Sequence, residues 1–323
     1  MDKSFLTYNQ QMKYLRDKKS IICSGSSDKT ILCRAGYFNL VNGYKMPFVT
    51  GRDNQGHHIY LNGTSIQHLN YVKEFDDDLR SLLLKYITKA EEEVRTFSGY
   101  KFDEVNKKGA LKWYQVDAFN VLREPTDIVA FISKAYGEIS KSQLDYVKFY
   151  MNTHKEIPTW VLVKVINFST FIDFLDYSKL SVKDSLCELY SIKDNRGYNN
   201  HKLLVGSLHW MRKVRNVCAH NERVFTVCRD KGRNYDNYFA LLPKSYKREH
   251  SQKLVDLLIY LKYYLETEDY RNLIVKIKSM LQELDSHIST QSFEYVRAHM
   301  GIKDLSHLDI LLSNNKVIDY NGF

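Results

Sequence analysis

Four prolines and 14 glycines in 323 residues are too few turn-formers for a β-sandwich, a collagenous repeat or a linker-dominated chain. Long hydrophobic runs are missing too. Apolar runs such as Trp160–Val163 and Leu257–Leu261 fall far short of a bilayer span, so no membrane association is expected. The opening Met1-Asp-Lys-Ser-Phe-Leu lacks the basic-then-apolar order of a secretory signal. Cysteine is sparse and odd in number (Cys23, Cys33, Cys187, Cys218 and Cys228), and no two stand at the close spacing of zinc ligands. Reduced thiols in a cytoplasmic protein are the expectation. No internal repeat and no low-complexity segment interrupts the chain.

Hydrophobic residues make up 44% and charged residues 26%, enough for a sizeable core and too apolar for wholesale disorder. Lys and Arg number 47 against 38 Asp and Glu, a balance of +9 that suits a polyanionic partner as well as ordinary solvated basicity. Tyrosine is plentiful, 24 in all, and some stand beside Lys or Arg, as in Tyr44-Lys45, Lys148-Phe-Tyr150 and Tyr246-Lys-Arg248. Such pairs can stack bases next to phosphate contacts, although core and rim packing accounts for most of them.

The spacing of apolar residues predicts helices joined by short polar loops, one largely all-α unit. Thr7-Tyr-Asn-Gln10 has capping-box form ahead of Tyr8, Met12 and Leu15 at helical spacing. An apolar stretch from Ile31 to Val41 ends at Asn42-Gly43, a stop signal. Residues 50–65 read as a loop or small hairpin. Val72, Phe75, Leu79, Leu82, Tyr86, Ala90 and Val94 then step by three or four along a long helix from Ser65 to Thr96. A polar stretch over 99–117 follows. Further helices are predicted near 126–136, 138–152, 158–177, 181–192, 201–222, 250–266, 268–286 and 303–312. Pro158 suits a first helical turn, where its missing N–H has no partner to lose.

Chemistry concentrates in Leu203–Phe225, where Leu204, Leu208, Met211, Val214 (or Arg215) and Cys218 form an apolar stripe. Beside it, Asn216, His220 and Arg223 share one helical face, with Arg215 at its border. That set suits RNA cleavage without a metal or other cofactor. The ribose 2′-OH attacks the adjacent phosphorus, which calls for a base, an acid and a group that holds the developing charge. Histidine serves as base or acid near neutrality. Arginine matches phosphate oxygens bidentately, and Asn216 can orient the imidazole or donate to phosphoryl oxygens. One helix supplies one imidazole, so a homodimer that sets two such helices side by side provides both acid and base. The spacing of Arg to His recurs at Arg52 to His57 and His58, and at Arg196 to His201, but both lie in loop-like segments.

Arg215-Asn216-Val-Cys-Ala219-His220-Asn-Glu-Arg223 resembles the RN-x-x-AH-x-x-R signature of HEPN ribonucleases. The chain more broadly resembles the Abi_2 (AbiD/AbiF-like) abortive-infection family of bacterial phage-defence proteins. Tyr37-Phe-Asn-Leu-Val-Asn-Gly-Tyr44 with Pro47-Phe48 is similar to that family's N-terminal block. Phe75-Asp76 with Leu79-Arg80, then Glu91 with Arg95, resemble its next helix; Ile157-Pro158-Thr-Trp160-Val-Leu-Val163 and His299-Met300-Gly301 resemble later elements. Ser169, after Asn167-Phe168, stands where the family usually has glycine. The resemblance implies an all-α, HEPN-like helical bundle with additional N- and C-terminal helices. Residues 1–70 would form an N-terminal helical region with its loop or hairpin and 71–323 the HEPN-like domain, the two also readable as one continuous unit. It further implies metal-independent endoribonuclease activity at a composite homodimer site, with Arg215, Asn216 and His220 catalytic and Glu91 and Arg95 on a supporting helix. A bound small non-coding RNA is a further partner the family suggests.

Plainer readings stand beside these. Arg215 also suits a pairing with Glu222 or one of Glu91–Glu93, Asn216 a hydrogen bond between helices, and Glu91 with Arg95 a surface ion pair. Cys218 reads as core packing, and His57-His58 has no carboxylate or thiol at ligand spacing. Two function classes remain: an RNA-cleaving toxin or defence effector, and a non-catalytic RNA-binding, dimerising module.

Overall fold

The computed structural model describes residues 5–194, 196–228 and 253–312. Within them the fold is all-α, relieved by one two-stranded ribbon. Helix α1 (Tyr8–Lys19) starts at the expected capping box, with Thr7 and Gln10 exchanging side-chain and backbone hydrogen bonds. Helix α2 (Gly25–Ala35) ends earlier than the Asn42-Gly43 signal predicts. Gly36 adopts φ +76°, which stops the helix, and a π-helical turn over Phe38–Asn42 carries on the apolar stretch. Strands β1 (Val49–Arg52) and β2 (His58–Tyr60) pair antiparallel as the predicted small hairpin.

Helix α3 (Ile66–Val105) is the spine, and it packs against helices from both halves of the chain. Six of the seven expected stripe residues are buried; Leu82 is half-buried, while Leu83 and Ile87 are fully enclosed. The helix runs nine residues beyond the predicted end because Ser98, Gly99 and Phe102 continue the buried stripe. At Gly99 a Cβ would come within 3.1 Å of Val163 Cγ2, so a residue without one allows close approach of the helix that crosses there.

That crossing helix belongs to the second half: α4 (Pro125–Lys141), α5 (Asp145–Phe149), α6 (Thr159–Val165), α7 (Phe168–Tyr177), α8 (Leu180–Leu189) and α9 (His201–Ala219). Two predicted helices are broken. Ser142 takes an extended conformation and separates α4 from α5. Residues 158–177 divide at Ile166, also extended, and Glu138 Oε2 accepts the freed Asn167 N–H at 2.7 Å. The chain closes with α10 (Leu254–Tyr264), α11 (Thr267–His287), α12 (Thr290–Met300) and α13 (Ser306–Leu311). Helix α12 is an element the periodicity reading passed over. Its signals are local: Ser289 caps the start by accepting from Ser292 N–H, and Gly301 ends it in the left-handed conformation.

One continuous apolar core joins these elements. Among the described residues no helix is long and apolar enough to cross a membrane. Of the Tyr–basic pairs, Tyr44 is buried and Tyr150 packs on Phe149 and His154. Tyr246 lies outside the described residues.

Candidate functional site

Helix α9 carries the chemistry-bearing segment. Asn200 accepts the Leu203 N–H at 3.0 Å and opens the helix, and Leu204, Leu208, Met211, Val214 and Cys218 are buried as the stripe predicts. The helix stops at Ala219 through a Schellman turn. Asn221, at φ 54°, donates its N–H to Cys218 O at 3.3 Å, and Glu222 N–H reaches Val217 O at 3.0 Å. His220 is therefore the capping residue. It is exposed, and its imidazole makes no hydrogen bond to a described residue.

The polar face of α9 forms one side of a cleft of about 780 Å³ whose other walls come from α3, α6 and the α6–α7 break. Arg212, Arg215, Asn216 and His220 face Glu91 and Arg95 across it. The wall from α3 is rigid. Arg95 Nε and Nη2 donate to Glu91 Oε1 at 2.9 and 2.7 Å. Its Nη1 donates to the Val163 carbonyl and, at 2.9 Å, to that of Ile166, the two carbonyls at the end of α6. The guanidinium also lies over Phe168 and Phe171, 5.5 and 4.9 Å from their ring centres. Burial lowers its pKa from the usual arginine value, and the neighbouring Glu91 carboxylate opposes that shift.

Glu91 thus has one oxygen committed to Arg95. The other, Oε2, is buried without a hydrogen bond and lies 3.7 Å from Arg215 Nε, which is also buried and without one. The rest of Arg215 is open, its side chain 38% exposed, and Nη1 donates to Asn216 Oδ1 at 3.3 Å. Glu91 holds the root of the guanidinium while its tip faces solvent. An anion in the cleft would meet that tip, the Asn216 amide and the His220 ring, a set able to grip a phosphate and exchange a proton.

Five of the six sequence-predicted residues (Arg215, Asn216, His220, Glu91 and Arg95) line this cleft. The sixth, Arg223, does not. It donates to the Gly43 carbonyl and to Thr226 Oγ1 at 2.8 Å, tying the segment after α9 to the N-terminal stretch. The Schellman turn ends the helix before residue 223 and carries this side chain off the shared face. Cys218 is buried and its thiol is pushed up to about 12 by desolvation, as befits packing. His201 pairs with Asp184 at 2.8 Å at the start of α9, and His57 with Asp53 at 3.2 Å in the hairpin turn.

Sequence reasoning missed Arg212 and Lys164, both in the cleft. Arg212 had a signal: it precedes Asn216 by four residues and His220 by eight, on the same face. Lys164 had none, because the α6–α7 break that brings it there is a tertiary effect. Among the described residues no three His, Cys, Asp or Glu side chains gather as a metal site.

No curated protein and no solved structure matches the chain. A family model, Abi_2 (Abi-like protein), matches residues 30–226, which include the hairpin, α3 and all of α9. The chain belongs to the Abi-like protein family, whose role is abortive infection in phage defence.

Proposed function

We propose that this protein is a HEPN-type endoribonuclease that cuts RNA without a metal, acting as an abortive-infection effector or toxin. The observation that carries the reading is the convergence of Arg215, Asn216 and His220 in one solvent-open cleft, with the Glu91–Arg95 pair behind them. Arg215 binds the scissile phosphate through its exposed nitrogens, and Glu91 fixes its orientation. Asn216 donates to a phosphoryl oxygen as negative charge develops there. The His220 imidazole takes the proton from the ribose 2′-OH, the 2′ oxygen bonds to phosphorus, and the P–O5′ bond breaks. The departing 5′ oxygen takes a proton from a second imidazole, leaving a 2′,3′-cyclic phosphate and a 5′-hydroxyl.

Among the described residues His220 is the one histidine on this cleft. The second imidazole comes from a second copy of the chain, in a homodimer that holds the two rings roughly 10 Å apart with a phosphodiester between them. The solitary imidazole of each cleft also favours a second reading, a non-catalytic dimeric module that grips RNA, such as a small non-coding RNA, without cutting it. His220→Ala separates the two. In the nuclease, cleavage of a labelled RNA falls by about 10²- to 10⁴-fold and cellular toxicity is lost while RNA is still bound. Cleavage at the wild-type rate in that variant contradicts the proposal.

A further inference from the structure

A second cleft, of about 760 Å³, adjoins the first. Thr96 and Trp160 line both, so the two run end to end along the furrow between α3 and α6. Their chemistry differs. The first carries Arg212, Arg215 and His220. The second has Trp113 as its aromatic floor and carries three carboxylates, Asp103, Glu104 and Glu156, against two lysines. One of those lysines, Lys112, is already paired with Glu156 at 3.0 Å. Glu104 is likewise paired, with Lys101 at 2.7 Å, so the second chamber has no net charge to draw a phosphate, whereas the first, with Lys164, Arg212 and Arg215 against Glu92 beyond the Glu91–Arg95 pair, attracts one. A nucleotide has the same division, an anionic phosphate joined to a flat, neutral base with N–H donors.

Trp160 stands at the junction, and its exposure has no packing explanation. Thr159, Val161, Leu162 and Val163 around it in α6 are all buried, yet Trp160 is 61% exposed. Asp103 lies on α3, the other wall of the furrow. Its Oδ1 accepts the Thr159 hydroxyl at 2.6 Å, while Oδ2 makes no hydrogen bond to a described residue. A carboxylate oxygen there accepts from the exocyclic amine of adenine, cytosine or guanine and repels the carbonyls of uracil.

We propose that Trp160 stacks an unpaired nucleobase beside the phosphate held by Arg215, and that the second chamber receives this base with its exocyclic amine on Asp103. The inference rests on reading the first cleft as an RNA site. It names the substrate as single-stranded RNA with an amino-bearing base next to the cut, since a paired base in a duplex cannot reach the indole.

The full-length protein reports on this directly. Of its three tryptophans, Trp210 is 1% exposed and lines neither chamber, so quenching by a ligand reads Trp160 and the chamber floor Trp113, and its loss in Trp160→Ala assigns it to Trp160. The probe is a 2′-O-methyl hexa-adenylate, unlabelled for the quenching measurement and fluorescein-labelled for anisotropy, which lacks the attacking hydroxyl and is bound without being cut. Saturable quenching of tryptophan emission is expected, with no quenching by an abasic strand of equal length. Anisotropy should show Trp160→Ala weakening binding about 5- to 100-fold and Trp160→Phe restoring it to within about 3-fold. Asp103→Asn should erase the preference for hexa-adenylate over hexa-uridylate. No quenching at saturation, or equal binding of the abasic strand, overturns the proposal, and neither needs a variant to fold. An unchanged adenine preference in Asp103→Asn overturns the amine contact. Because the strand cannot be cut, these outcomes are independent of whether the wild type cleaves RNA.

Discussion

Helix α3 carries two carboxylate–arginine pairs of identical spacing, and they are used differently. At Asp76–Arg80 both carboxylate oxygens are hydrogen-bonded, and Arg80 pairs with Asp77 as well. Asp76 is 0% exposed and accepts from Arg80 Nη1 at 2.6 Å, Tyr44 Oη at 3.0 Å, and the N–H groups of Val224 at 3.1 Å and Phe225 at 2.9 Å. Arg80 reaches on to the Glu222 carbonyl at 3.4 Å. One carboxylate thereby joins the N-terminal stretch, the spine and the segment just after α9. At Glu91–Arg95, one carboxylate oxygen is committed and the other is left bare beside Arg215. A closed buried network specifies structure, whereas an open one beside a solvent-filled cleft is poised for a ligand.

Substitutions should separate the two pairs. Asp76→Ala leaves the buried Arg80 guanidinium with Asp77 as its remaining carboxylate and strips the Val224 and Phe225 N–H groups of their acceptor, and should cost about 3–5 kcal/mol in urea unfolding. A loss under about 1 kcal/mol would mean that the network is ornamental. Glu91→Gln keeps an acceptor for Arg95, so its stability cost should stay near about 1 kcal/mol. The loosened Arg215 should nevertheless lower RNA cleavage about 10²-fold. If Glu91→Gln unfolds the protein as readily as Asp76→Ala, the distinction between the pairs disappears.

Arg215→Lys tests the open side alone. Because that side chain is 38% exposed, stability should change by no more than about 0.5 kcal/mol. Cleavage should fall at least about 10-fold, since an ammonium offers no planar fork to phosphate. Wild-type rates would refute the phosphate-clamp role. A last pair of variants, one of them with the smallest effect expected, falls at Asn221, in the turn that ends α9. Its left-handed conformation makes Asn221→Val cost about 1–2 kcal/mol, while Asn221→Gly is neutral or stabilising by a few tenths. Equal stabilities of the two variants would show that the Schellman turn does not set where α9 ends.

Most of α3 and α9 is legible in the amino-acid sequence, because long amphipathic helices announce themselves through periodicity. The cleft residues of α9 follow from the same arithmetic. Where helices break is not legible. Residues 158–177 have an unbroken helical pattern, yet the chain opens at Ile166, and the carbonyls near that break are the ones to which Arg95 donates. A long-range hydrogen bond from an arginine some seventy residues away leaves no local trace. Arg223 errs in the opposite direction: helical phase puts it with His220, but phase loses meaning once Asn221 turns left-handed. Glu91 is visible in the sequence only as half of an i, i+4 pair, a pattern that Asp76–Arg80 shares on the same helix.

The most direct test of the central claim is end-group analysis of a defined single-stranded RNA after incubation with the purified protein in excess EDTA. Attack by the 2′-hydroxyl predicts fragments ending in 2′,3′-cyclic phosphate and starting with 5′-hydroxyl, with the chelator making no difference. Fragments with 3′-hydroxyl and 5′-phosphate ends, formed only when a divalent cation is restored, would contradict the account.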